Sequence, residues 1–75
     1  MMNTIQFILT TPFIRLDDLL KCTGCVATGG QAKQLIQTGH VLLDGEICTV
    51  RGKKLREGAS VRLPESDEEI IVAGP

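Results

Sequence analysis

Asp44-Gly45, with Val41-Leu42-Leu43 before it and Glu46-Ile47-Cys48 after it, leaves this chain few local options. A two-residue connection between strands needs positive φ at its central positions, and Asp-Gly adopts them at little steric cost, so the segment predicts a β-hairpin. An isolated hairpin is marginal in water and has to lean its apolar residues on another element. A helix stands directly upstream. Thr28 is placed as an N-cap, Gln31 three residues later completes a capping-box pattern, Ala32, Leu35 and Ile36 form an apolar stripe, and Gly39 occupies the C-cap position. Lys33, Gln34 and Gln37 project mainly from the outer side, so one face builds a core and the other is free for a partner.

The rest of the chain supplies what this pair packs against. Thr4-Ile5-Gln6-Phe7-Ile8-Leu9 alternates and then turns apolar, which predicts a first strand stopped before Pro12. Leu16, Leu19, Leu20 and Thr23 recur at three and four, with Asp17 and Asp18 at the positive end, Lys21 at the far end and Gly24 as terminator. That helix is about two turns long, so packing has to hold it together. Downstream, Gly52 and Gly58 punctuate a loop, Ser60-Val61-Arg62-Leu63 alternates as a strand, and Glu69-Ile70-Ile71-Val72-Ala73 supplies another after the polar turn Pro64-Glu65-Ser66-Asp67. The order strand, helix, helix, several short strands predicts an α+β fold in one small domain over 1–75.

Size and charge narrow the function. A 75-residue chain has no room for separate cofactor and substrate domains, and a domain this small buries only about 60% of its unfolded surface. Phe7 and Phe13 are its only aromatic residues, which excludes a stacking platform of the kind some single-strand binders use. The formal charge of −1 conceals an asymmetry: residues 1–14 carry no charged side chain, residues 15–62 carry eight basic and five acidic ones, and residues 63–75 carry four acidic ones. Arg51, Lys53, Lys54 and Arg56 crowd into one short stretch, where an anion would dock. The acidic stretch from Glu65 to Glu69 would repel that anion, so it is expected to lie away from the basic face. Met1-Met2-Asn3-Thr4 lacks the basic start of a secretory leader, and no apolar run approaches the roughly 20 residues of a membrane span. With three cysteines, an odd number, the expectation is a cytoplasmic protein without a disulfide scaffold.

Chemistry-bearing residues are sparse. Cys22-Thr23-Gly24-Cys25 has the spacing of zinc knuckles and thiol redox pairs, and His40 and Cys48 would have to complete a metal site from distant, unrelated patterns. A redox pair would gain from a helix N-terminus, whereas this one follows its helix. Small, partly buried side chains are the plainer reading, and no metal or cofactor is expected. His40 has no serine or acid in readable local relation to it, which gives no catalytic triad. Thr28-Gly29-Gly30 offers backbone N–H groups at a helix start but lacks the longer glycine-rich loop and Lys-Ser/Thr ending of a nucleotide-binding loop. The four loop cations read either as a solvated surface or as contacts to repeated phosphates; with Lys33 on the neighbouring helix, repeated phosphates fit better than a single small anion.

Arg15-Leu16-Asp17, Leu20, Gly24, Thr28-Gly29-Gly30-Gln31-Ala32-Lys33, Ile36, Gly39-His40-Val41, Asp44-Gly45, Gly58 and Val61, in this order and spacing, resemble the alpha-L RNA-binding module named after the fourth small-subunit ribosomal protein. The chain also resembles the small stand-alone bacterial proteins that consist almost entirely of that module. The resemblance covers about residues 15–63. It implies two antiparallel-packed helices against a small bent, antiparallel-rich sheet, and binding of structured RNA, commonly ribosomal RNA. It further implies phosphate contacts from the second helix and its entrance, here Thr28, Gly29, Gln31, Lys33 and Gln34, and from the basic loop, here Arg51, Lys53 and Lys54, beside which Arg56 completes the cluster. Two departures stand out: the usual Ser-Arg at the helix entrance is Thr28-Gly29, and the usual Gly-Asp before the later strand is Gly58-Ala59.

The resulting expectation is non-enzymatic binding, in which Lys33 and the loop cations straddle an RNA backbone bend and read shape and 2′-hydroxyls in place of base edges. The alternative is a protein-interaction adaptor in a ribosome-associated or RNA-processing assembly, using the same helix face without touching RNA.

Overall fold

The computed structural model describes residues 3–75; Met1 and Met2, the start of the segment read above as lacking a basic leader, lie outside the described residues. Nine elements follow in chain order: β1 (Asn3–Ile8), β2 (Ile14–Arg15), α1 (Leu16–Cys22), α2 (Gly29–Gln37), β3 (Leu42–Leu43), β4 (Glu46–Ile47), β5 (Lys54–Leu55), β6 (Ser60–Leu63) and β7 (Glu68–Ala73). They form an α+β fold with a five-stranded sheet ordered β1-β7-β6-β3-β4 and a separate two-stranded sheet, β2-β5. Among the described residues only β1 and β7 run parallel; the other pairings are antiparallel.

The hairpin forms where Asp-Gly requires it. Asp44 and Gly45 have φ of 50° and 87°, both in the left-handed region, and Leu42 pairs with Ile47 and Leu43 with Glu46. The Asp44 carboxylate also accepts from the Ser60 N–H at 3.0 Å, tying the turn to β6.

The ends of α2 close as its residues dictate. Thr28 Oγ1 accepts from the Gln31 N–H at 3.1 Å, and Gln31 Oε1 accepts from the Ala27 N–H at 2.8 Å, so the reciprocal cap reaches one residue further back than the usual box. At the other end Thr38 is the C-cap, Gly39 follows with φ 81°, and the N–H groups of Gly39 and His40 bond to the carbonyls of Ile36 and Leu35. This double bond pattern satisfies carbonyls that the helix leaves open. In α1 the residue at the N-cap, Arg15, makes no side-chain cap, and Thr23 is a terminator and not part of the apolar stripe, its hydroxyl donating to the Leu19 carbonyl at 2.9 Å.

Leu16, Leu19 and Leu20 of α1 meet Ala32 and Ile36 of α2 over Val41, Val61, Ile70 and Val72 of the sheet side, all essentially without solvent contact. Two elements were not expected from sequence. The segment between Gly52 and Gly58 contains β5, and Ile14-Arg15 forms β2, with Ile14 opposite Leu55 and Arg15 opposite Lys54. Two-residue strands carry no readable period, and these pair across some forty intervening positions, so only the packed structure brings them together. Among the described residues no helix is long and apolar enough to cross a membrane.

Candidate functional site

The basic segment is pinned to the start of α1 and is not a free loop. Leu55, 2% exposed, buries itself in the core while its neighbours Lys54 and Arg56 stay outside. The N–H of Leu16 bonds to the Lys53 carbonyl at 2.9 Å and that of Asp17 to the Arg51 carbonyl at 3.1 Å. Four cations are thereby carried on a segment tied through its backbone to the start of α1, which reduces the ordering cost of meeting a ligand.

Lys53, Lys54 and Arg56 line an open cleft of about 400 Å³ together with Asp44 and Glu57. Lys53 also borders a second cleft of about 600 Å³, beside Glu46, Ile47 and Val50. Arg51 lines neither cleft, although its backbone belongs to the same pinned segment. The Lys54 Nζ lies 4.8 Å from the Phe13 ring centroid, a cation–π contact that holds the side chain. Among the described residues, Lys33, Arg51, Lys53, Lys54 and Arg56 have no ion-pair partner.

Arg15 joins this cluster through the β2–β5 pairing, and residue-by-residue reading of the basic stretch misses it. Its guanidinium bonds to Asp17 Oδ2 at 3.2 Å, remains 47% exposed, and lies 3.4 Å from where a Cβ on Gly52 would stand. The only sequence signal was its place in the Arg-Leu-Asp run ahead of α1.

The second predicted set sits on α2. Thr28 caps it, Gly29 opens it with no atom within 4 Å of a Cβ built there, and Lys33 is exposed. Gln31 and Gln34 line a third cleft of about 320 Å³ with Leu35, Thr38, His40 and Glu65. In it His40 Nδ1 shares a hydrogen with Thr38 Oγ1 at 2.7 Å, and Nε2 lies 3.1 Å from Glu65 Oε1. Gln31 and Gln34 thus line a different concavity from Lys53, Lys54 and Arg56, and Thr28, Gly29 and Lys33 line neither. The acidic turn, expected away from the basic face, puts Glu65 on the flank of α2 that carries Gln31 and Gln34, in a cleft lined by no lysine or arginine, where His40 offers it a partner.

The cysteines are all free, with Cys22 exposed and Cys25 and Cys48 partly buried. Burial pushes the Cys25 thiol up; a hydrogen bond from Thr23 works against this, while the nearby Glu68 carboxylate adds to it by its charge and by accepting the thiol hydrogen. A nucleophilic thiol needs the opposite shift.

Residues 7–73 match the family model described as S4 domain. The chain belongs to the S4 domain family. That match reaches beyond the motif core of about 15–63 and takes in the outer strands, from the end of β1 through β7. The S4 domain is also 34% identical over 58 residues to the small ribosomal subunit protein uS4 of Phytoplasma mali (strain AT), covering 77% of this chain and 29% of that protein. The uS4 of Acholeplasma laidlawii (strain PG-8A) is 33% identical over 58 residues, with the same coverage, and that of Lysinibacillus sphaericus (strain C3-41) 32% over 60 residues, covering 80% and 30%. This S4 domain therefore spans less than a third of the length of these relatives.

Proposed function

We propose that this S4 domain is a single, non-enzymatic, cytoplasmic module over 1–75 that binds structured RNA, with ribosomal RNA as the target class. The observation that carries the reading is the pinned basic segment, backbone-tied to α1: Lys53, Lys54 and Arg56, without ion-pair partners among the described residues, beside Arg15, which pairs with Asp17. Family membership and the uS4 relatives, proteins of the small ribosomal subunit, support the same class of ligand.

In this reading Arg51, Lys53, Lys54 and Arg56 contact phosphates from the loop side, while Thr28, Gly29 and Lys33 meet the backbone at the α2 entrance. Glu65 makes the other flank of α2 poor for phosphate, so Gln31 and Gln34 meet 2′-hydroxyls or base edges there. The wide minor groove of A-form RNA displays such hydroxyls, and duplex DNA has none, which sets the preference for RNA.

A second reading rests on the hydrophobic residues beside the second cleft: Ile47 and Val50 are 64% and 59% exposed. It makes the domain a protein-interaction adaptor in a ribosome-associated assembly. Titration of wild type and a Lys33→Ala/Lys53→Ala/Lys54→Ala variant against structured ribosomal RNA fragments and matched duplex DNA separates the two. RNA preference lost in a correctly folded variant supports the first. Weak, equal binding to both polymers that the substitutions leave unchanged transfers the function to the second.

A further inference from the structure

The two ends of the five-stranded sheet are finished differently. At one end β4 is two residues long and carries Glu46, features that discourage further strand pairing. At the other end β1 is six residues long, Asn-Thr-Ile-Gln-Phe-Ile, with no charge and no proline. Among the described residues no strand covers its outer edge.

The groups open on that edge follow from the pairing with β7. The N–H groups of Asn3 and Leu9 bond to the carbonyls of Asp67 and Ala73, which marks the odd-numbered residues as those facing β7. Thr4, Gln6 and Ile8 therefore turn their N–H and C=O groups outward. Their side chains are exposed, Ile8 to 46%, whereas Ile5 and Phe7 pack against the core.

We infer that β1 pairs antiparallel with β1 of a second copy of this chain, joining two five-stranded sheets across a two-fold axis at Gln6. In this register Gln6 faces Gln6 of the second copy, Thr4 faces Ile8, and Ile5 faces Phe7. The outward groups of Thr4, Gln6 and Ile8 then exchange bonds in pairs. The strand is self-complementary: apolar residues meet apolar ones on the core side, and no charge opposes a like charge.

Symmetry also selects the direction. In a parallel pair the outward groups of Thr4, Gln6 and Ile8 in the two copies meet only after a one-residue offset, which a closed two-fold pair does not permit, whereas antiparallel pairing brings them together directly. One strand pair buries less than a standard interface, so the association is of roughly micromolar strength or weaker.

Sedimentation equilibrium over a concentration series, with amide hydrogen exchange at its two extremes, tests this. The expected result is a monomer–dimer equilibrium in which the Thr4, Gln6 and Ile8 amides gain protection at high concentration, while Ile5 and Phe7 are protected throughout. Gln6→Lys places two like charges across the axis and shifts the species to monomer. Gln6→Pro removes the central outward donor without touching a bond to β7, the placement in which an edge strand tolerates proline, and has the same effect. Melting of each variant at low concentration, matching wild type, shows that the monomer fold is intact, and the exposed Gln6→Lys site serves if the proline variant does not fold. A monomer at every concentration up to about millimolar overturns the proposal. So does a dimer whose Thr4, Gln6 and Ile8 amides stay unprotected, or one of equal strength in Gln6→Lys.

Discussion

Gly29 opens α2 at the position where the resemblance to the alpha-L module implies arginine, and a Cβ built on it meets open space. An arginine there meets no steric obstacle and relieves the entropic cost of glycine in a helix. Gly29→Arg is expected to raise affinity for structured RNA about threefold to tenfold and to steepen the salt dependence by about one unit, as one added phosphate contact does. Affinity measured at two salt concentrations checks both effects. Cys25 behaves in the opposite sense from an activated thiol. Burial and Glu68 raise its folded value above that of an ordinary cysteine, so the folded state holds this proton more tightly than the unfolded chain. Its contribution to stability is complete below the ordinary thiol range and is lost as pH climbs through the raised folded value. Alkylation with iodoacetamide at mildly alkaline pH, followed by mass spectrometry, is expected to modify exposed Cys22 first and Cys25 more slowly.

Among the elements, β5 does the positioning and Leu55 anchors it. Leu55→Ala removes a buried side chain and is expected to cost about 2–5 kcal/mol, much of the margin of a domain this small. Urea denaturation measures that loss, and RNA affinity of the folded fraction falls with it if pinning matters. Gly45→Ala forces a Cβ into φ 87° and is expected to destabilise the hairpin by about 1 kcal/mol or more, measured in the same way. The elements legible in sequence share a reason. The α2 caps, the Asp-Gly turn and the alternating β6 and β7 are each specified by residues within a few positions of one another. The β2–β5 pair is specified by contact between remote segments, and nothing in Ile14-Arg15 or Lys54-Leu55 alone distinguishes strand from loop. The same pairing explains why Arg15 escaped notice as a neighbour of Lys54, although the loop cations themselves were readable from their crowding.

For the molecule as a whole, charge distribution decides more than net charge. The cations of residues 15–62 have to act against a net charge of −1, and Glu65 stands on the α2 flank beside Gln34. The reach of the acidic turn was hidden in sequence because its place depends on where β6 delivers the chain. Glu65→Gln is expected to strengthen RNA binding about twofold to fivefold, the scale of one exposed charge contact, as read by fluorescence titration at low salt. The central claim is that a pinned cluster of cations neutralises several phosphates together, and the dependence of RNA affinity on salt measures this most directly. Neutralising four to six phosphates predicts that log affinity falls against log salt with a slope of about −3 to −5. Affinity indifferent to salt would contradict the account.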